Sequence, residues 1–230
     1  NNYGYYGGGV YINASDPVIQ DVSIENNETY YYGGGMYIGN NSHAQLTAVR
    51  VDSNTSTSSN GGGIYIIDSD PVMDHVTIEN NSCDDDGGGL CIIDSDPILD
   101  HVTIENNSCN SEGGGIFMDS SDPFLSNTVI RGNESYYGGG IYMYYSQPSL
   151  SAVTVASNAA NSGGGMFMAY DATPEFDTIN RSSIYMNYSY WGEGSDLNTY
   201  EIQHVVVDTF TVMLPKSHQA QPLTYYTFDI

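Results

Sequence analysis

Asp70, Asp96 and Asp122 each stand directly before a proline, and Asp68 and Asp94 lie two residues ahead of the first two. Carboxylates repeated on neighbouring turns of a chain repel, and a hard cation such as Ca2+ relieves that repulsion through oxygen ligands. Aspartate before proline is also ordinary turn chemistry. The nonapeptide that binds Ca2+ in other β-rolls is absent, because no Gly-Gly here is followed by x-Gly-x-Asp. A second set joins imidazole to carboxylate: His75, Thr77 and Glu79 are expected on the outward face of the strand ending each repeat, stacked over His101, Thr103 and Glu105, a combination equipped for proton transfer. Arg50 and Arg131 flank it. Placed beside Glu25, Glu79 and Glu105, they balance charge across neighbouring strands, and no catalytic residue is assigned.

Three further sets recur. Tyr11, Tyr37, Tyr65, Phe117, Tyr142 and Phe167 hold one repeated position, with Tyr-rich loops at Tyr30 to Tyr32 and Tyr136-Tyr137. This column is expected to face outward, where it can stack sugar rings, pack against a second copy, or ladder along its own fold. Cys83 and Cys109 occupy equivalent loop positions one repeat apart, which stacking would bring within disulfide reach, while Cys91 sits in the aromatic column as a free thiol. Asn-x-Ser/Thr recurs throughout, and Asn80 and Asn106 are the candidates for N-glycosylation because they fall outside the positions expected to point inward.

The elements that must position these residues are written in the glycines. Gly-Gly-Gly begins at Gly7, Gly33, Gly61, Gly87, Gly113, Gly138 and Gly163, so the chain is a repeat of 25–28 residues. Each unit offers two short strands with apolar residues two apart, as in Leu90/Ile92 and Val102/Ile104, separated by Gly, Asp, Ser, Asn and Pro. No stretch carries helical spacing, and a propeller blade would need a longer unit. A coil of parallel strands fits, each repeat pairing with the next at about 4.8 Å, with the right-handed sense that parallel crossovers take. Stacking makes each position a column. Met36, Ile64, Leu90 and Ile116 form one inward column, and Leu46, Met73, Leu99 and Leu125 another. Asn27, Asn54, Asn81, Asn107, Asn133, Asn158 and Asn187 form an asparagine ladder that satisfies amides at a bend.

The sequences Gly61-Gly62-Gly63-Ile64-Tyr65, Ser69-Asp70-Pro71 and Val76-Thr77-Ile78-Glu79-Asn80-Asn81-Ser82 resemble the right-handed parallel β-helix, or pectate-lyase-like, superfamily. Within it the chain is similar to glycine-rich repeat proteins of the polymorphic outer-membrane protein type, over about residues 4 to 190. That resemblance implies a secreted or surface protein, in a superfamily of lyases, hydrolases, adhesins and structural fibres. Enzymes of this fold keep an arginine or lysine base beside calcium-binding aspartates, or a close pair of acids in a groove. Neither arrangement is legible here.

The formal charge is −24 with four Lys and Arg residues, which argues against nucleic acid and anionic membrane surfaces as partners. No apolar run is long enough to span a bilayer. The expectation is an all-β, right-handed parallel β-helix of about seven to eight rungs over 1–198. Residues 199–230, with a long strand from Ile202 to Leu214, are expected to form a capping strand or the start of a following module. Tyr5-Tyr6 at the start reads as the tail of an earlier rung, so a longer protein is expected. The expected function is that of an extracellular or cell-surface structural shaft in adhesion, coating or a filament, with self-association or a glycan as partner. Polysaccharide binding or cleavage is the alternative. Ice binding comes third, because the column Ser23, Arg50, Thr77, Thr103, Val129, Thr154 is not a uniform threonine face.

Overall fold

The computed structural model describes residues 2–199, so the capping strands expected over 199–230 lie outside the described residues apart from Thr199. Every regular element described is a strand, and none is a helix that could cross a membrane. Each rung contributes four short strands rather than the two expected. In one rung they are Ser82–Cys83, Leu90–Ile93, Ile98–Asp100 and Thr103–Glu105. Taken in that order, they belong to sheets 1 to 4. Sheets 1 and 2 have eight strands each and sheets 3 and 4 seven each, every strand pairing with its counterpart one repeat away. The pairing is parallel, and in register apart from shifts in sheet 1 at Gly4/Tyr6 and Ala160/Ser162: Ile64 faces Met36 and Leu90, and Ile78 faces Val51 and Ile104.

The rung has four corners, and each turns on a residue with positive φ. In the same rung these are Gly87 at 72°, Asp94 at 46°, His101 at 52° and Asn106 at 56°. A single left-handed residue between two extended ones swings the chain to a new face, and Gly, Asn and Asp accept that conformation most readily. The sequence divides the two longer strands less clearly because a corner needs one residue, not a loop.

The glycine triplet has three separate causes. Gly87 carries the positive φ. A Cβ on Gly88 would lie 2.5 Å from both the Gly114 and the Ser108 carbonyl oxygens of the next rung, and one on Gly89 would lie 2.8 Å from Asn107 Nδ2. The first glycine therefore turns the chain, the second lets two rungs approach through bare backbone, and the third makes room for the asparagine ladder.

The core is the continuous stack foreseen. Met36, Ile38, Leu46, Ile64, Ile66, Met73, Ile78, Leu90, Ile92, Leu99 and Ile104 are fully enclosed. Val49, Val76, Val102 and Val153 add a further inward column, of which the alternating pattern singles out Val102 beside Ile104. A single rung cannot cover this stripe; its burial depends on the neighbours above and below.

Candidate functional site

Two amide-and-hydroxyl ladders run through the coil. Asn54 donates from its backbone N–H (2.9 Å) and from Nδ2 (3.0 Å) to Asn81 Oδ1. Asn81 repeats this toward Asn107, Asn107 toward Asn133, Asn133 toward Asn158, and Asn158 toward Asn187. All these asparagines are buried. The second ladder was missed. The Ser42 N–H donates to Ser69 Oγ at 3.0 Å, Ser69 to Ser95 at 3.0 Å, Ser95 to Ser121 at 3.2 Å and Ser121 to Ser146 at 3.1 Å. Its sequence signal is the serine of the recurring Ser-Asp-Pro, which by composition alone is indistinguishable from an ordinary turn residue.

The aspartates of the same turn also serve the backbone. Asp70 Oδ1 accepts the Asp96 N–H and Asp96 Oδ1 accepts the Asp122 N–H, both at 2.7 Å, and Asp122 Oδ1 accepts the Gln147 N–H at 2.6 Å. The repetition thus has a structural use. Among the described residues Asp70, Asp96 and Asp122 do not come together as a shared ion site. Donors that do come together lie at the next corner: Asp74, His75 and His101 have ligand atoms all within 4.8 Å of one another.

His75 and His101 are corner residues, not part of the strand face on which the sequence placed them with threonine and glutamate. Their rings stack with centroids 4.6 Å apart and planes 4° from parallel. Each Nδ1 lies against the preceding aspartate, at 2.6 Å for His75 to Asp74 and 3.1 Å for His101 to Asp100. The strand face of sheet 4 is instead an ion-pair surface. Arg50 reaches Glu25 at 2.7 Å, Asp52 at 2.9 Å and Glu79 at 2.7 Å, and Arg131 meets Glu105 at 2.6 Å. The hydrogen bond to Glu79 raises the guanidinium pKa of Arg50, so this residue is poorly suited to act as a base.

The aromatic column needs correction. Tyr65, Phe117, Tyr142 and Phe167 are buried, forming a second apolar cluster with Cys91 against Tyr32, Tyr37, Ile67, Ile93, Tyr137 and Tyr144. Their strands do present them away from the main core, but the chain entering each glycine triplet folds over them: Tyr32 stacks on Tyr65 at 4.4 Å and Tyr137 packs on Phe167 at 5.4 Å. These four rings are out of a ligand's reach. Tyr11, 53% exposed, and the partly covered Tyr37 remain accessible. They continue into a patch of exposed rings, Tyr5, Tyr6, Tyr30 and Tyr31, with Tyr5 on Tyr31 at 6.1 Å and Tyr11 on Tyr37 at 5.0 Å.

Cys83 and Cys109 are in register but unlinked, and all three cysteines are free and buried. In-register side chains on parallel neighbours point the same way, and here each thiol turns to a carbonyl of its own loop, Cys83 to Asp86 at 3.3 Å and Cys109 to Glu112 at 3.2 Å. Burial raises the Cys83 and Cys91 thiol pKa values well above the ordinary one. The same loops hold a pair of acids that the sequence reading missed. The Glu112 N–H donates to Asp86 Oδ1 at 3.1 Å. Burial, reinforced by neighbouring carboxylates, pushes Asp86 up to about 6 and Glu112 up to about 7. Asn80 and Asn106 are exposed corner residues, and Asn80 Nδ2 donates to Asp52 Oδ1 at 2.8 Å.

Residues 8–200 match the family model described as the right handed beta helix region. The chain belongs to the right-handed β-helix family. No curated protein and no solved structure matches it.

Proposed function

We propose that this β-helix is a secreted or cell-surface structural element, a stiff acidic shaft used in adhesion, surface coating or an extracellular filament. The observation that carries this reading is the unbroken asparagine ladder from Asn27 to Asn187, buried in every rung. A coil cross-linked through each bend has no hinge at which to flex, and its contacts serve stiffness before chemistry. The likeness of its Gly-Gly-Gly repeats to glycine-rich surface proteins supports the location. Immunogold electron microscopy of intact, unpermeabilised cells tests it. Gold on the outer surface is expected, and label confined to the cytoplasm overturns the proposal.

Polysaccharide binding is the second reading, favoured by the exposed rings of Tyr5, Tyr6, Tyr11, Tyr30 and Tyr31, which offer flat apolar faces to sugar rings. On a glycan array, binding that disappears in a Tyr5→Ala, Tyr31→Ala variant supports it, and an array blank for the wild-type chain rejects it. Cleavage has less support, since Arg50 is tied to three carboxylates and Arg131 to Glu105.

A further inference from the structure

We propose that the corner between sheets 3 and 4 at His75 and His101 binds one divalent transition-metal ion, held by the Asp74 carboxylate and one nitrogen of each imidazole. The donors come from adjacent rungs. Asp74 ends the strand Val72–Asp74, His75 follows it at the corner, and His101 lies one repeat on, so the stacking that builds the fold also assembles the ligands. The equivalent corner positions in other rungs hold Asp21, Ala48, Asn127 and Ala152, so the histidine pair is a local feature and not part of the repeat.

The donor set selects the ion. Two imidazoles and one carboxylate suit Zn2+, Ni2+ or Cu2+, whereas Ca2+ takes six to eight oxygens. At metal–ligand distances of roughly 2.0–2.2 Å, donors around a tetrahedral ion stand about 3.3 Å apart. The rings, 4.6 Å apart at their centroids, must therefore tilt toward each other. Their side chains are 63% and 47% exposed, and χ rotation achieves the tilt without moving the corners. The fourth position opens to solvent.

An outer shell is already built on one side. Asp100 lies 3.1 Å from His101 Nδ1. Its Oδ1 accepts from Ser126 Oγ at 2.6 Å and from Asn127 Nδ2 at 2.9 Å. A metal-binding histidine characteristically donates its other ring N–H to a carboxylate, which fixes the ring and strengthens it as a ligand. Asp100 is placed to do this for His101, leaving Nε2 for the ion. An ion shared by two rungs would also pin them together, linking metal binding to stability.

The test is calorimetric titration of the untagged chain with Zn2+ and, separately, Ni2+, with Ca2+ as comparator. One equivalent of Zn2+ or Ni2+ is expected to bind, with a rise in Tm, and Ca2+ is not expected to compete. His75→Asn and His101→Asn each remove a ligand while keeping a residue suited to positive φ, as Asn127 shows one rung on. Each is expected to weaken uptake roughly tenfold or more, while His43→Asn leaves it unchanged. Cu2+ paramagnetic resonance is expected to show two coupled nitrogens in the wild type and one in either variant. Failure of one equivalent of Zn2+ or Ni2+ to bind, or equal binding in both folded variants, overturns the proposal.

Discussion

Asn107 Oδ1 receives two hydrogen bonds from Asn81, one from the backbone N–H at 2.9 Å and one from Nδ2 at 3.0 Å, while its own Nδ2 donates to Ile78 O at 2.9 Å. One side chain thus satisfies three buried polar groups on the preceding rung. Asn107→Ala takes the side-chain partner from the Asn81 N–H and from Ile78 O, and leaves Asn81 Nδ2 with only its bond to Val51 O, where water does not reach. A loss of about 2–5 kcal/mol is expected, because each buried orphan costs about 1–3 kcal/mol and the members of a network fail together. Urea denaturation measures it. A loss below about 1 kcal/mol would mean that the ladder contributes little.

Gly88→Ala tests the close approach of rungs. The added Cβ would meet two carbonyl oxygens at 2.5 Å, both backbone, which cannot swing aside as a side chain can. The two rungs must separate locally. A lower Tm and a loss of roughly 3 kcal/mol or more is expected, within the upper range for a single substitution. A thermal melt superimposable on the wild type would contradict the stacking geometry.

Stability should rise on mild acidification. Glu112 in the folded chain keeps its proton up to about pH 7, against a reference value of 4.5, and Asp86 up to about 6, against 3.8. Stabilisation by these protons is complete below about pH 4 and disappears as the pH climbs through 6 and 7. At pH 8, Glu112→Gln is expected to be about 1–2 kcal/mol more stable than the wild type, solvent screening at this partly exposed carboxylate softening the penalty, with the difference closing by pH 5. Denaturation at both pH values checks this, and a gain independent of pH would show that charge is not its cause. Asp100 and Asp177, held down to about 2 by hydrogen bonds, act in the opposite sense, giving up their contribution only in strong acid.

Much of the fold was legible because stacking turns the sequence into columns. Period, parallel pairing, the Ile and Leu stripes, the asparagine ladder and the Arg131–Glu105 contact all follow from aligning the glycine triplets. What the alignment hides is direction at the corners. His75 looks like a strand residue by spacing, yet one positive φ at this residue moves it off the face of Thr77 and Glu79. Tyr65 and Phe117 do point away from the main core, but only the path of the incoming chain reveals that Tyr32 and its neighbours cover them. The acids Asp86 and Glu112 each stand directly before a glycine triplet, so their stacking is legible in the alignment, but the burial that raises their pKa values is a product of the fold. Cys83 and Cys109 stack as expected, but each thiol is engaged with a carbonyl of its own loop and no bond joins the two.

The thiols give a further check. With Cys83, Cys91 and Cys109 free and buried, and burial raising the pKa of two of them, the native chain should react slowly with a thiol reagent at pH 7 and release three equivalents once unfolded without reductant. One equivalent after unfolding would indicate a disulfide.

Rigid in-register stacking is tested most directly by a distance across it. Val18 and Glu175 are exposed ends of one column, linked through Gln45, Val72, Ile98, Phe124 and Ser149. Six steps at about 4.8 Å separate them by about 29 Å. Spin labels on Val18→Cys and Glu175→Cys, read by pulsed dipolar resonance, are predicted to give one narrow distribution near that value, widened only by the label linkers. A broad distribution, or a maximum well outside it, would contradict the stiff stacked coil on which the proposed shaft depends.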